Sequence, residues 1–370
     1  MHTMLRLAKE ETLLWVAAGA AVLAYVFQDA LAHGGTAVAG AATAALVAAI
    51  VCASLRVAAH AESIAHRVGD PYGTMVLTLS AVLVEVVVLA IVMSNQNSPT
   101  LVRDTIYSAV MLDINGILGL AALMGGLKHG EQSYNDDSGR TYGVMILTAI
   151  AVSMVVPEFI PREVWHIYSA FTIVAMITLY AVFLRMQTGP HSYFFSYSYP
   201  DKPRGRKAPA SLDAPPAPAL PVRTSIAVLA VGVALIGALA EVMSHTLGET
   251  LRGVAAPPAL PALVVAVISA SPEILTALRA ALANRMQAVV NIAMGASLAT
   301  VILTVPLMEA LALYTGQPFQ MAMTPVQTVM MLVTLIVAAI NLNDGQTNAI
   351  EGMTHFVLFA TFVMLTMIGV

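Results

Sequence analysis

Charge is what this chain has least of. Only 10% of its 370 residues are Asp, Glu, Lys or Arg, against about 25% in an ordinary soluble domain. That scarcity excludes a water-soluble globular fold. The net charge of −4, with basic residues confined to loops, gives no footprint for nucleic acid, and none is expected as a partner. Cysteine is nearly absent too. The single Cys52 excludes an internal disulfide and reads as a small residue packed in an apolar run. No His-Glu-x-x-His pattern occurs, and no Ser/His or His/His arrangement at a shared depth offers a nucleophile with its base. The chain is therefore not expected to be an enzyme or to carry a cofactor. What it has in abundance is apolar sequence, at 58% hydrophobic residues and a mean hydropathy of +0.81.

Runs of about 20 apolar residues span a bilayer as helices. Eleven are expected, at 13–33, 36–55, 71–94, 102–125, 142–160, 165–185, 223–246, 258–281, 286–312, 323–341 and 352–370. The first is too long for the apolar core of a cleaved signal peptide, roughly 7–15 residues. The expected fold class is an all-α polytopic membrane protein, partnered by the lipid bilayer. With the N-terminus on the cytoplasmic side, 14 of the 17 Lys and Arg residues fall on the inner face, leaving only Arg103, Arg162 and Arg252 outside. That is the bias expected of an inserted chain. Residues 187–222 hold eight prolines and several basic residues, a composition that reads as an extended cytoplasmic connector; its aromatic start, Tyr193-Phe194-Phe195, is expected at the membrane interface. Four regions follow: an N-terminal helix in 1–35, five helices in 36–186, the connector, and five helices in 223–370. An odd number of helices per half inverts one half relative to the other, the inverted-repeat layout of many secondary transporters.

Each half carries one acid inside an apolar helix. Glu85 follows Val82-Leu83-Val84 in the third segment, and Glu273 follows Ser269-Ala270-Ser271-Pro272 in the eighth. A carboxylate at bilayer depth costs roughly 2.5–3.5 kcal/mol and marks a functional position by default. Pro272 removes one helical hydrogen bond and crowds the carbonyl of Ile268. A freed carbonyl, the hydroxyls of Ser269 and Ser271 and a carboxylate would form a set of hard oxygens suited to a cation such as Ca2+; the competing reading is a packing kink with both hydroxyls bonded back to the helix. Around Glu85, Thr74, Thr78 and Ala81 share its helical face and Ser80 stands beside it, with a packing face for a neighbouring helix as the alternative. The fourth segment adds Asp113 and Asn115. The ninth adds Asn291, Gly295, Ser297 and Thr300.

Weaker candidates are expected to be structural or solvated: Glu158, Glu241, Glu249 and His245 near segment ends, His355 as a hydrogen-bonded core histidine, and His60 to Arg67 as an amphipathic, solvated extension of the second segment. Gly345 to Asn348, with Glu351, reads as a turn at the inner face. If each buried glutamate holds either a proton or a cation, cation binding expels protons and protonation expels the cation, which is the logic of antiport. A channel remains the rival of another class.

The segments Ala65-His66-Arg67-Val68-Gly69-Asp70-Pro71-Tyr72-Gly73-Thr74, Leu79-Ser80 with Glu85, and Arg103-Asp104-Thr105-Ile106-Tyr107-Ser108 resemble the calcium/proton exchanger family of the cation/calcium exchanger superfamily. So do Ser271-Pro272-Glu273, Asn291, Leu298 to Pro306, and Gly345, Thr347, Asn348, Gly352 and His355. The likeness runs from about residue 55 to the end, outside the connector, and is strongest to bacterial calcium/proton antiporters also described as sodium-potassium/proton antiporters. The resemblance implies an eleven-helix antiporter of the bacterial inner membrane that exports Ca2+, with Na+ or K+ as alternatives, in exchange for H+. It maps the cation and proton sites onto Glu85 and Glu273. Three departures accompany it. A Gly-Asn-Ala-x-Glu signature is replaced here by Val82-Leu83-Val84-Glu85 and Ala270-Ser271-Pro272-Glu273. The connector is basic rather than acidic, and Asp113 has no counterpart in the family pattern.

Overall fold

The computed structural model describes residues 11–69, 72–96, 98–189, 191–195, 221–316 and 319–369. Positions 1–10 and most of the connector expected at 187–222 lie outside the described residues.

Among the described residues the long helices are α1 Thr12–Val26, followed by a short helix Gln28–His33, then α2 Thr36–Val68, α3 Tyr72–Asn95, α4 Leu101–His129, α5 Asp136–Phe159, α6 Arg162–Thr188 and α7 Val222–Gly253. After them come α8, in two arms Leu260–Ser269 and Ser271–Leu282, then α9 Met286–Thr315, α10 Pro325–Asn341 and α11 Ala349–Ile368. Eight are long and apolar enough to cross a membrane, nine with the two arms of α8 taken as one span, and α1 and α10 are shorter apolar helices. Together they coincide with the eleven expected segments. One N-terminal helix and two sets of five, α2–α6 and α7–α11, make an all-α polytopic fold with the helix count of two inverted repeats. Large apolar side chains such as Trp15, Phe171, Val174 and Ile336 stand exposed, as a surface facing lipid requires.

The helix ends follow from local sequence. Gly69 closes α2 with φ of 75°, which a residue with a Cβ adopts only under strain. Thr324-Pro325 opens α10 with a capping box closed by Gln327. Asn348 accepts from the amides of Ile350 and Glu351 and so starts α11.

Two compact units form, and each draws on both halves of the sequence. One holds residues up to Thr105 with Leu220–Pro272; the other holds Ile106–Ala219 with Glu273–Thr366. A division into sequence repeats concerns topology, which compactness does not measure. In the first unit α2 and α7 pack along their lengths. Thr43 Oγ1 donates to Thr246 Oγ1 at 3.0 Å, and a Cβ on Gly232 would press on Val57. Asn95 Nδ2 at the end of α3 donates to Ser244 Oγ at 2.7 Å. Glu11, ahead of α1, is buried against α2. It accepts from Arg56 Nε at 2.9 Å and NH2 at 2.6 Å, and lies 3.0 Å from His60 Nε2. His60, expected on a solvated extension, is thus a core residue at 3% exposure. The sequence offered no sign that Glu11 would fold back onto it.

In the second unit, β1 Gln132–Ser133 pairs antiparallel with β2 Gln346–Thr347. Beside it Tyr134 is fully buried, and the carbonyls of Asn341 and Gln346, each 3.1 Å away, share its single hydroxyl hydrogen. The turn expected at Gly345 to Asn348 is therefore one strand of a two-stranded clasp. Phe195, expected at the interface, is buried against Phe183 and Tyr142 with edge-on ring geometry.

Three helices contain π-helical turns: Leu112–Leu118 in α4, Ala151–Val155 in α5 and Thr300–Thr304 in α9. The last two end two residues before a proline, Pro157 and Pro306. A proline cannot donate to the carbonyl four residues back, here Ser153 and Ile302, so the preceding turn is free to widen. α4 has no proline, and its π turn surrounds Gly116, packed against Phe359.

Candidate ion-binding centre

α8 is broken where its sequence demands it. The first arm ends at Ser269, Ala270 takes φ −82° and ψ 0°, and the second arm restarts at Ser271, bent by 57° from the first. Pro272 sits in the first turn of the new helix, where its missing N–H is not needed. Glu273 follows in that same turn, where the helix dipole favours negative charge. The hydroxyls of Ser269 and Ser271 bond back, to Ala266 O at 3.0 Å and Ile268 O at 2.8 Å. The carbonyl expected to be free at Ile268 is therefore occupied by Ser271. Each hydroxyl still keeps lone pairs that can accept or coordinate, and each carbonyl keeps its second one.

Glu85 lies on an unbroken helix. It is 5% exposed and Ser80 is 8% exposed. Ala81, expected on the same face, is exposed, and the buried residues nearby are instead Val82, Val84, Val86, Val88 and Leu89. The buried side of this helix around Glu85 is therefore lined mainly by valine and leucine rather than by small residues.

Asp113 and Asn115 are carried by the π turn of α4, the kind of local widening that recurs at functional sites. Ser297 of α9 donates to Asp113 Oδ2 at 3.2 Å, and both residues are buried. Asn115 is fully buried. Its amide nitrogen donates to Thr334 Oγ1 of α10 at 2.7 Å and reaches Met111 Sδ at 3.6 Å. Its oxygen lies 2.9 Å from His355 Nδ1 of α11. Since that oxygen can only accept, Nδ1 carries the proton. His355 Nε2 is buried with no hydrogen-bond partner among the described residues. The expected core histidine is thus hydrogen-bonded at one nitrogen only. Thr300, 6% exposed, opens the π turn of α9.

Asn291 belongs to a different network. Its Nδ2 donates to Phe195 O at 2.7 Å and so ties the start of the connector to α9, while its Oδ1 accepts from Gln287, one turn earlier in the same helix, at 3.0 Å. The structure thus joins Asp113 to Ser297, and Asn115 to Thr334 and His355. Sequence reasoning missed Thr334 and Met111, which look like ordinary core residues of apolar helices. It also missed Glu309, a buried acid of α9 whose signal, one carboxyl within Val305-Pro306-Leu307-Met308-Glu309-Ala310-Leu311, matches that of Glu85. Among the described residues no three of His, Cys, Asp and Glu gather as a metal cluster.

Comparison with known proteins gives a consistent answer. The sodium/calcium exchanger protein family matches residues 37–189 and 224–368. The sodium-potassium/proton antiporter ChaA of Escherichia coli is 32% identical over 322 residues, covering 85% of this chain and 86% of that protein. A Ca(2+)/H(+) antiporter of Synechocystis is 22% identical over 300 residues, covering 76% of this chain and 77% of that protein. The crystal structure of the Ca2+/H+ antiporter YfkE superposes with a TM-score of 0.74 at 16% identity, covering 96% of this chain and 99% of that one, which establishes a shared fold. With the family matched across both halves, on either side of the connector, this chain is a member of the sodium/calcium exchanger protein family, a family of membrane transporters.

Proposed function

We propose that the protein is a proton-coupled cation antiporter of the bacterial inner membrane, with its N-terminus in the cytoplasm, that exports Ca2+ in exchange for H+. Glu85 and Glu273 are alternately protonated and cation-bound as the transporter alternates its access. The observation that carries this reading is the break in α8. Discontinuous helices with exposed carbonyls and a helix N-terminus at a midplane acid are how secondary transporters hold ions. Ser269, Ser271 and Glu273 lie at such a break, with the acid in the first turn of the restarted helix.

The cycle follows from competition. A Ca2+ ion takes 6–8 oxygens, and two carboxylates with hydroxyl, carbonyl and water oxygens meet that demand. Ionising both acids to receive the ion releases their protons. Reprotonation from the other side neutralises them and expels the ion. Asp113 with Ser297, and Thr300 one turn further along α9, supply further oxygens. Asn115 holds α4, α10 and α11 in register through Thr334 and His355. Antiporters of Na+, K+ and Ca2+ both stand among the relatives, so a monovalent cargo is the second reading; it would need fewer anionic ligands.

The test is cation-driven proton movement in proteoliposomes loaded with a pH dye, comparing Ca2+, Na+ and K+. Ca2+-driven movement that disappears in both Glu85→Gln and Glu273→Gln is the expected result. Response to Na+ or K+ alone would move the cargo to a monovalent ion. Cation flux with no proton movement would bring the channel forward.

A further inference from the structure

Glu309 is not used by that mechanism. It lies in α9, six residues before the helix ends at Thr315, about 9 Å along the axis at 1.5 Å per residue. It is 2% exposed. Ser169 Oγ of α6 donates to its Oε1 at 3.3 Å, while its Oε2 is buried with no hydrogen-bond partner among the described residues. No salt bridge reaches it among the described residues. The groups around it are neutral or distant from it in depth. From α6 come Tyr168, whose hydroxyl donates to Val152 O, and Thr172, whose hydroxyl bonds its own helix. From α9 itself come the buried Thr304 and the exposed Tyr314. The charged residues at the head of α6, Arg162, Glu163 and His166, are all exposed.

A carboxylate with one neutral donor and no cation is not sustained in such a place; it takes up a proton instead. An acid kept only for packing would be expected to satisfy both oxygens, and this one leaves an oxygen unused. Ser169 is the fifth residue of the Trp165–Thr188 stretch, so both partners lie at the same end of their helices. With the N-terminus inside, that end is the outer one, from which the driving protons arrive.

We propose that Glu309 is a proton-binding site of the transporter, additional to Glu85 and Glu273, near the outer end of α9. It rests on the antiport reading for its role, but not for its occupancy by a proton. The experiment compares wild type, Glu309→Gln, Glu309→Asp and Ser169→Ala in proteoliposomes, by infrared spectroscopy and by proton flux against external pH. The infrared band of a protonated carboxylic acid at neutral pH is expected to diminish in Glu309→Gln and persist in Glu309→Asp. Half-maximal flux should shift by about one pH unit in Glu309→Gln, a tenfold change in proton concentration, and return towards wild type in Glu309→Asp. Ser169→Ala, which removes the hydroxyl that donates to the carboxylate, should shift it towards higher pH. An unchanged band in Glu309→Gln overturns the proposal, as do unchanged pH profiles in both Glu309→Gln and Ser169→Ala. Wild type without cation-coupled proton flux would remove the antiport reading instead, and the infrared comparison would still decide whether Glu309 holds a proton.

Discussion

Glu11 shows how this protein tolerates an acid out of water. Burial pushes its pKa up, but hydrogen bonds and charges from Arg56 and His60 outweigh that and hold it below the ordinary carboxylate value. A group depressed in the folded state adds stability that is present above its unfolded pKa and is lost as pH falls through the folded value. Thermal unfolding in detergent should therefore show wild type losing stability on acidification below about pH 4. Glu11→Gln should start less stable and lose less over the same range. Asp113 is buried in a different setting, with Ser297 Oγ donating to its Oδ2 at 3.2 Å. Asp113→Asn keeps the shape and removes the charge, and should weaken Ca2+ more than Na+ or K+. Competition assays should show apparent Ca2+ affinity falling about tenfold, or 1.4 kcal/mol, and an unaltered preference would place Asp113 outside the cation site. At this scale the sequence was legible where one acid stands alone in an apolar run. It was opaque where burial comes from a distant partner: His60 reads as solvated until Glu11 folds against it. Arg103 reads as an outer-loop cation until its buried pairing with Asp104 at 2.8 Å is seen.

Elements were legible in the same measure as their punctuation. Each of the eleven apolar runs became helical, and Pro272 announced a break, although a 57° bend with a full restart at Ser271 exceeds a simple kink. The π turns were not anticipated, because an extra residue per turn leaves apolar periodicity almost unchanged. Pro272→Ala restores the missing donor and should let the arms of α8 approach one continuous helix. The protein should fold, with cation affinity reduced about tenfold as measured by isotope binding; wild-type affinity would mean that Ser269 and Ser271 alone set the break. Close approach of α4 and α11 supplies a sharper test. A Cβ on Gly352 would land on the backbone of Ala122 and Leu123, and one on Gly126 on that of Ala349. Backbone cannot move aside as a side-chain tip can, so Gly352→Ala should destabilise by about 1–3 kcal/mol or more, seen as a lower midpoint in thermal unfolding, with Gly143→Ala, a position open to space, as the control.

Across the whole molecule, coupling is a statement about linkage between protons and cation. If Ca2+ displaces protons from both glutamates, its apparent Kd should rise about tenfold for each unit that the pH falls and each proton displaced, over the range where the empty sites are protonated. The slope of log Kd against pH therefore counts protons, and each single Gln variant that still binds should lower the count by one. A flat line would separate binding from proton release and remove the competition. Helix number and family could be read from hydropathy and motifs alone. The compact units could not, because each gathers helices from both halves, and hydropathy carries no record of which helix packs on which.

The clasp of β1 and β2 sets an order of events in time. Its strands pair Ser133 with Gln346 and Gln132 with Thr347, more than 200 residues apart along the chain. At about 5–20 residues per second, synthesis takes on the order of 10–40 s to produce the second strand after the first. For that interval the backbone of Gln132 and Ser133 has no strand to pair with, and the clasp waits for the segment that also begins α11. The second strand is thus made long after the first and fastens what was made before it. A nascent chain halted before residue 346 would hold α1 to α10 and still lack this closure.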